Sequence, residues 1–393
     1  MNPRLDRLHP YPFERLGDLL ADLRPPGALP LRDLSIGEPR DAPPEFVLNA
    51  LHDQEAGFGA YPKTAGSETL REAIAAWLGR RFALNPAPDP ATQVQPVNGT
   101  REALFGIAQC VAAGQPDALV ALPNPGYQVY EGATLLSGAE PLYVPLRADN
   151  GYNPDFGVIT ETQWSRLKMV YLCSPGNPAG GVMNRTVLAD IIERSDAYGF
   201  IVVSDECYSE LYPPGSPPPG ILQVCAELGR PDFTRCLAFH SLSKRSGLPG
   251  LRSGFVAGDA ELIAAFRLYR SYQGCTMPPP LQAASAAAWR DETHVDRGRD
   301  RYQEKFRLAR HILGDVPLPE GGFYLWLPVA ENDRDITRRL YAEAGVRVMP
   351  GSFLGREVDG TNPGAGYLRL ALVDDVATCA DTLKRVATVT GRY

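Results

Sequence analysis

Short apolar runs alternate with longer segments of helical periodicity through the middle of the chain. Five of these runs are apolar at nearly every position and are bounded by turn residues, which favours buried β-strands. They cover residues 118–122, 168–173, 200–204, 236–239 and 254–257. The intervening segments, 186–198 and 261–269 among them, space their apolar residues as amphipathic helices do. Strands that are apolar on both faces are typical of a parallel sheet covered by helices on each side.

The two ends of the chain show a different pattern. Phe13, Leu16, Leu19, Leu20 and Leu23 predict a short amphipathic helix near the N-terminus. The prolines at 278–280 are followed by a long helical pattern and then by mixed elements. We predict a helix from 282 to about 313, a strand over 321–327, a helix over 337–344 and a strand over 367–372.

This order of elements predicts an α/β fold with two domains. The larger domain, residues 46–280, has a mostly parallel central sheet flanked by helices. The smaller domain is of the α+β kind and combines residues 1–45 with residues 281–393.

Composition and charge narrow the class of protein. The 393 residues are 44% hydrophobic and 22% charged, which is ordinary globular usage and excludes a disordered or fibrous chain. The formal net charge is −7 and there is no long basic run, so we expect no nucleic-acid partner. No apolar run approaches the ~20 residues of a membrane helix, and the N-terminus has no signal-peptide pattern. We therefore expect a cytoplasmic protein that does not insert into membranes.

The reactive residue types are sparse. The seven cysteines never form a C-x-x-C pair, which predicts reduced thiols rather than disulfides or a zinc ribbon. The five histidines are dispersed, so no metal site is predicted. Lysine is rare beside arginine, and any chemistry that needs a lysine has few candidates. They are Lys63, Lys168, Lys244, Lys305 and Lys384.

Polar or glycine-rich segments follow the apolar runs, at the strand ends where ligands bind in open α/β sheets. Residues 97–105 are either an ordinary glycine turn before a helix or a phosphate site at the helix N-terminus. Residues 174–180 contain an Asn-Pro turn whose Asn177 amide is also a potential donor to a ligand oxygen. Asp205 comes directly after a buried run, either as a helix N-cap or as a carboxylate facing a cationic nitrogen.

The segment from 239 to 254 is the most specific of these. Lys244 follows an apolar run and lies between Ser241, Ser243 and several glycines, with Arg252 eight positions later. A lone lysine in a loop is usually a solvated charge. An arginine next to hydroxyls and backbone amides, however, is how proteins bind a phosphate dianion.

Taken together, these residues resemble the fold-type I, pyridoxal-phosphate-dependent aminotransferases of class I/II. The likeness extends from Gly37-Glu38-Pro39 to Arg369, in the same order and at compatible spacings. It implies that pyridoxal 5′-phosphate is the cofactor and that Lys244 is the Schiff-base lysine. It also implies that Asp205 bonds the pyridine nitrogen, and that Tyr208 and Asn177 bind the cofactor's phenolic oxygen.

The same resemblance implies the remaining site residues. Tyr127 matches the aromatic residue stacked on the cofactor ring. Arg369 matches the arginine that binds the substrate α-carboxylate, with Gly37 and Asn177 beside it. Tyr61 matches a tyrosine that reaches the phosphate from the neighbouring subunit, which implies a homodimer. The phosphate cup would consist of Thr100, Arg101 through its backbone amide, Ser241, Ser243 and Arg252. One departure from the family pattern is Ala179, where many relatives have threonine.

Two stretches, 61–68 and 241–255, resemble the bacterial succinyldiaminopimelate aminotransferases of lysine biosynthesis. The resemblance implies amino transfer between glutamate and N-succinyl-2-amino-6-oxopimelate. Both substrates carry a second carboxylate far from the reacting carbon, so a further cationic contact is expected. Three alternatives stay open: an aminotransferase for aspartate, aromatic or other amino acids; a fold-type I lyase; and a non-enzymatic regulator. The last usually carries a DNA-binding module, and the sequence before Gly37 leaves no room for one.

Overall fold

The apolar runs of the central segment become neighbouring strands in the computed structural model, which describes residues 1–392. The strands of this part of the chain are β1 Arg32–Asp33, β2 Val94–Val97, β3 Leu119–Asn124, β4 Glu140–Pro145, β5 Leu167–Cys173, β6 Ile201–Asp205, β7 Cys236–Ser241, β8 Gly254–Gly258, β9 Tyr324–Pro328, β10 Val346–Arg347, β11 Met349–Pro350 and β12 Tyr367–Ala371. The five runs predicted as strands correspond to β3, β5, β6, β7 and β8, with ends that differ by one or two residues.

Helices connect these strands and cover them. They are α1 Pro12–Leu20, α2 Glu45–His52, α3 Glu68–Phe82, α4 Thr100–Val111, α5 Gln128–Ser137, α6 Glu161–Arg166, α7 Arg185–Tyr198, α8 Ile221–Glu227, α9 Leu242–Arg245, α10 Ala260–Gln273, α11 Pro279–Arg290, α12 Thr293–Leu313, α13 Asp333–Ala344 and α14 Val376–Thr390. None of them is long and apolar enough to cross a membrane. The described residues also contain no cluster of three acidic, histidine or cysteine side chains placed to bind a metal.

The large sheet has seven strands in the order β2-β8-β7-β6-β5-β3-β4. Its neighbours are parallel except at β8, which runs antiparallel to both β2 and β7. Every residue of β3, β7 and β8 is buried. Separate apolar clusters pack on the two faces of the sheet, so the predicted α/β class with a mostly parallel, helix-covered sheet is confirmed.

Both outer strands of this sheet contain proline. β2 includes Pro96, and β4 includes Pro141 and Pro145. The apolar pattern does not predict β4, because two prolines in six residues argue against a central strand. An edge position tolerates them, since part of the backbone there has no strand to bond to.

The C-terminal part forms a smaller antiparallel sheet in the order β11-β12-β9. A separate apolar cluster lies beneath it, to which α12, α13 and α14 contribute. The N-terminal segment joins this part, because β1 pairs with β10 in a parallel register, Arg32 opposite Val346. The pairing supports the grouping of the two chain ends, while the boundaries 1–45, 46–280 and 281–393 stay a prediction.

The loop between β11 and β12 is hydrogen-bonded to the large sheet at the carboxyl end of β3. The Asn124 side chain accepts a hydrogen bond from the Arg356 backbone N–H (2.8 Å) and donates one to its carbonyl (2.9 Å). The Arg356 guanidinium donates to Glu131 on α5 (Nε to Oε1, 2.7 Å). These contacts fix the small sheet against the strand ends of the large one.

The prediction of one long helix from 282 to about 313 is wrong in one respect, because the structure contains two helices there, α11 and α12. Asp291 between them is extended, and its carboxylate accepts a hydrogen bond from the backbone N–H of His294 (3.0 Å). Arg245 donates to the Asp291 carbonyl (3.1 Å) and to the Glu292 carboxylate (2.7 Å). This tertiary contact stabilises the break, which the amphipathic pattern alone does not reveal.

The strand predicted over 321–327 begins three residues later. Gly322 has a positive φ of 90°, and its N–H donates to the Leu211 carbonyl (2.7 Å). The Gly-Gly pair is therefore a turn that brings Tyr324 to the start of β9.

Candidate active site

A cavity of about 420 Å³ opens at the carboxyl ends of β5, β6 and β7. Every site residue predicted from the sequence lines it, with the exception of Tyr61. The set comprises Gly37, Thr100, Arg101, Tyr127, Asn177, Asp205, Tyr208, Ser241, Ser243, Lys244, Arg252 and Arg369. The residues that follow β2, β3, β5, β6 and β7 meet here because these strands run in one direction and end at the same edge of the large sheet, whereas Gly37 comes from the N-terminal segment and Arg369 from the small sheet.

Lys244 lies on the single turn α9, which directly follows β7. The Ser241 hydroxyl oxygen starts this turn by accepting a hydrogen bond from the Ser243 backbone N–H (3.1 Å). The Lys244 ammonium group donates to the Gly37 carbonyl. Within residues 1–392 no carboxylate forms an ion pair with it, and burial lowers its pKa below the usual lysine range. The local structure therefore favours a neutral amine, the form that can act as a base or nucleophile.

Asp205 is the last residue of β6, and its side chain is buried. Its carboxylate accepts hydrogen bonds from the Tyr130 hydroxyl (2.7 Å) and from the Cys207 backbone N–H (3.2 Å). Burial raises the pKa of this carboxyl, and it has no lysine or arginine partner among the described residues. No helix starts at Asp205, since the next one begins at Ile221, so the N-cap explanation is wrong. A buried carboxylate of this kind is stabilised by a cationic group brought by a ligand.

Arg369 belongs to the small sheet and brings a positive charge to the cavity. It lies on β12 and is 5% exposed. Its guanidinium donates to the Asn177 side-chain oxygen (2.9 Å) and to the Ser35 carbonyl (2.8 Å). The buried Nε has no partner, and none of the carboxylates described forms an ion pair with this group. A buried cation with neutral partners and a free donor is arranged to bind an anion from the cavity.

The third charged region surrounds the start of α4. Gly99, with φ of 85°, precedes Thr100, and no side chain caps the free N–H groups of this helix. This positive φ, which L side chains rarely adopt, favours glycine there, and a Cβ atom would also meet the end of the Arg252 side chain. The Arg252 guanidinium donates to the Pro249 carbonyl (3.0 Å) and the Asn98 carbonyl (3.4 Å), and it forms a half-exposed ion pair with Glu102 (3.5 Å). Free amides, the helix dipole and this arginine suit a phosphate group.

Tyr127 and Tyr208 supply the aromatic walls. The Tyr127 hydroxyl accepts a hydrogen bond from Arg101 Nε (2.8 Å), so the side chain of Arg101 also reaches the cavity, beyond the backbone role predicted for it. The Tyr208 hydroxyl donates to the Tyr324 hydroxyl (3.2 Å), and burial raises the pKa of Tyr208.

Two residues of the site were missed from the sequence. Tyr130 holds Asp205, and Tyr324 contacts Tyr208 and lies under Arg369, 4.4 Å from the guanidinium to the ring centroid. The three-residue spacing between Tyr127 and Tyr130, which places both on one side of α5, was the available signal for the first. For Tyr324 no local signal exists, because its neighbours come from distant segments.

Tyr61 lies apart from the cavity. Its side chain is fully exposed, and it borders a separate groove formed with α3 and α11. Phe58, three residues earlier, is also exposed. An exposed tyrosine is available to a neighbouring subunit, and its predicted role there stays a prediction.

The residues present fit pyridoxal phosphate. Three groups surround Lys244 in the cavity. They are the buried Asp205, which has no cationic partner, the buried Arg369, which has no anionic partner, and the uncapped start of α4 with Arg252. A cofactor with a protonated ring nitrogen at one end and a phosphate at another satisfies the first and third groups. An amino acid bound to it presents a carboxylate to the second.

The comparisons with known proteins agree with this geometry. The family model for "Aminotransferase class I and II" matches residues 30–382. A probable aminotransferase of Mycobacterium tuberculosis is 35% identical over 97% of this chain and 84% of its own. An LL-diaminopimelate aminotransferase of Desulforudis audaxviator is 31% identical over 99% of this chain and 97% of its own.

A solved structure also matches this chain over nearly its whole length. A crystal structure of an aminotransferase from Neisseria meningitidis is 44% identical and superposes with a TM-score of 0.94, covering 99% of this chain and all of the other. Because the match covers 99% of this chain, it includes both sheets. The chain therefore belongs to the class I and II aminotransferases, a family that depends on pyridoxal phosphate.

Proposed function

We propose that this enzyme transfers an amino group between glutamate or 2-oxoglutarate and N-succinyl-2-amino-6-oxopimelate or N-succinyl-LL-2,6-diaminopimelate. The observation that carries the reaction type is the set of Lys244, Asp205 and Arg369 in one cavity. The lysine is half-buried with a lowered pKa, and the two charged groups have no protein counter-ion among the residues described. The two segments similar to succinyldiaminopimelate aminotransferases support the substrate.

Each residue has a role that follows from its surroundings. Bound pyridoxal phosphate supplies the electron sink that stabilises the carbanion at the substrate Cα. Asp205, ionised, holds a proton on the ring nitrogen. Arg369 binds the α-carboxylate and so fixes the Cα–H bond. Lys244, as a neutral amine, would accept the proton that leaves Cα and hold it for return to the bound substrate and cofactor.

A contact for the distal carboxylate can also be proposed. Four cations line the cavity, and Lys244, Arg252 and Arg369 already have roles. Arg101 is the fourth, and its only side-chain hydrogen bond in the described structure is to Tyr127 through Nε, which leaves the terminal nitrogens free. A guanidinium with free donors suits the second carboxylate of a dicarboxylic substrate.

A second candidate is LL-diaminopimelate itself, without the succinyl group. Relatives that are 29–31% identical over most of this chain are named LL-diaminopimelate aminotransferases. Both candidates share the reaction and differ only at the distal end, where one has a free amino group and the other an amide with an added carboxylate.

The deciding experiment uses both compounds as amino donors. The purified holoenzyme is mixed with 2-oxoglutarate and either N-succinyl-LL-diaminopimelate or LL-diaminopimelate, and glutamate formation gives kcat/KM for each. A higher value for the succinylated donor supports the first candidate, and the reverse supports the second. Activity with neither, but with aspartate or an aromatic amino acid, would refute both. Release of the leaving group from an added β-substituted amino acid, without conversion of the cofactor to its amine form, would indicate the lyase alternative.

The contribution of Arg101 is tested with Arg101→Gln, which keeps the backbone amide. We expect KM for glutamate to rise about tenfold or more, the loss of one charge-assisted contact, with KM for alanine unchanged. Equal effects on both amino acids would contradict a contact to the distal carboxylate, and reduced cofactor affinity would assign Arg101 to the phosphate.

We propose further that the enzyme is a cytoplasmic homodimer in which Tyr61 completes the neighbouring site. The full exposure of Tyr61 and its distance from its own cavity support this. Lys244→Ala and Tyr61→Ala variants are each expected to be nearly inactive at limiting cofactor. Mixing them, with subunit exchange, produces a heterodimer with one intact site, so activity should return. No recovery after exchange verified by mass spectrometry would refute shared sites.

A further inference from the structure

Tyr324 connects two parts of the site that the proposed function uses separately. It is the first residue of β9, and its ring lies under the Arg369 guanidinium with 4.4 Å to the centroid. The side chain is 5% exposed and lines the cavity. A cation over a desolvated ring is attracted to it, so the ring restricts where Arg369 can place its donors.

The hydroxyl of the same residue faces Tyr208. The two hydroxyl oxygens are 3.2 Å apart, and both side chains are buried. A Cβ atom on Gly37 would overlap the Tyr324 hydroxyl, so Gly37 leaves the space that it occupies. The Gly37 carbonyl accepts the hydrogen bond of Lys244. The hydroxyl is therefore confined between Tyr208 and the segment that contacts the reactive lysine.

We propose that Tyr324 is a positioning residue with two separable functions, an inference that rests on the proposed function. When the Tyr208 hydroxyl donates its hydrogen bond to the phenolic oxygen of the cofactor, the Tyr324 hydroxyl donates in turn to the Tyr208 oxygen. Two hydroxyls in series polarise one another, which makes Tyr208 a stronger donor to an ionised oxygen. Its ring independently orients Arg369 for the substrate α-carboxylate.

Two substitutions separate these functions. Tyr324→Phe keeps the ring under Arg369 and removes only the hydroxyl, whereas Tyr324→Leu removes both. Tyr302 offers matched controls, because it is buried in the same apolar cluster, stacks on Phe323 at 5.6 Å, and has a hydroxyl without a partner. It does not line the cavity, and its ring faces Lys305 rather than Arg369 (4.6 Å to the centroid), so Tyr302→Phe and Tyr302→Leu report on the loss of a buried hydroxyl and ring outside the cavity.

The first readout is the pH midpoint of the absorbance change of the bound cofactor. Tyr324→Phe should shift this midpoint upward by about half a pH unit or more, since an ionised phenolic oxygen loses part of its stabilisation. Tyr302→Phe should leave it unchanged. A midpoint that is unchanged or lower in Tyr324→Phe would overturn the role of the hydroxyl.

The second readout is the affinity for 2-methylglutamate, which has no proton at Cα and so binds without reacting further. Tyr324→Leu should weaken its binding by about threefold to thirtyfold, whereas Tyr324→Phe and both Tyr302 variants should bind within about twofold of the wild type. Equal weakening in Tyr302→Leu would overturn the role of the ring. If Tyr324→Leu does not fold, the absorbance midpoint of Tyr324→Phe still decides the role of the hydroxyl.

Failure of this inference and failure of the proposed function can be told apart. If glutamate does not convert the cofactor of the wild-type enzyme to its amine form, the proposed function is refuted. If it does so normally and Tyr324→Phe titrates like the wild type, the assignment of the Tyr324 hydroxyl alone is refuted.

Discussion

Replacing Tyr130 by phenylalanine removes one of the two hydrogen bonds to the Asp205 carboxylate and leaves the ring packing intact. The Tyr130 hydroxyl donates at 2.7 Å, the shorter of the two bonds, and both groups are buried. A hydrogen bond to a charged group contributes about 1.5–3 kcal/mol. Against a neutral carboxyl it contributes about 1 kcal/mol. The cost of Tyr130→Phe therefore depends on whether Asp205 is ionised.

The direction of the pH dependence follows from the raised pKa of Asp205. Burial puts the folded pKa above the unfolded value of about 3.9, so ionisation of this group destabilises the fold as the pH rises through the folded pKa. Loss of a donor raises the folded pKa further. The cofactor-free Tyr130→Phe protein should therefore lose about 1 kcal/mol of unfolding free energy near pH 4 and about 1.5–3 kcal/mol above the folded pKa of the variant.

Urea unfolding of the cofactor-free proteins at several pH values between 4 and 9 measures this difference. Tyr171→Phe is the control, because Tyr171 stacks on Tyr130 with 4.6 Å between centroids while its hydroxyl donates to the Leu104 carbonyl. Its cost should not vary with pH. A cost of Tyr130→Phe that is constant over this range would show that the hydroxyl does not stabilise an ionised Asp205.

Three further changes test the remaining groups. Lys244→Ala should abolish 2-oxoglutarate release from the glutamate reaction without changing the far-UV circular dichroism, and a fully active variant would mean that another lysine reacts. Arg252→Ala should weaken cofactor binding at least about tenfold in equilibrium dialysis, because a charge-assisted contact to phosphate is lost; retention equal to the wild type would contradict that role. Gly37→Ala should reduce kcat/KM for glutamate, since its Cβ would displace Tyr324, whereas Gly298→Ala, on α12 with open space around it, should not.

The sequence predicted the fold through local patterns and missed what depends on distant contacts. The central strands were identified because their apolar runs are buried on both faces. The edge strand with Pro141 and Pro145 was missed, because its composition is that of a loop. The helix break at Asp291 was missed because Arg245, from another part of the chain, stabilises it.

The site divides in the same way. Lys244 and Asp205 follow apolar runs directly, so their place at the strand ends could be predicted from order alone. Tyr324 could not, since its role depends on contacts with Arg369 and Tyr208 across the boundary between the two sheets.

The buried guanidinium of Arg369 also bears on chirality. Asn177 and Ser35 hold it in one orientation, and Lys244 enters the cavity from the large sheet. When the carboxylate and the nitrogen of an amino acid are both held in place, inverting the configuration at Cα exchanges the positions of the hydrogen and the side chain. One enantiomer then presents its hydrogen to the amine and the mirror-image form presents its side chain. The fixed anchor thereby makes handedness a matter of which substituent meets the base.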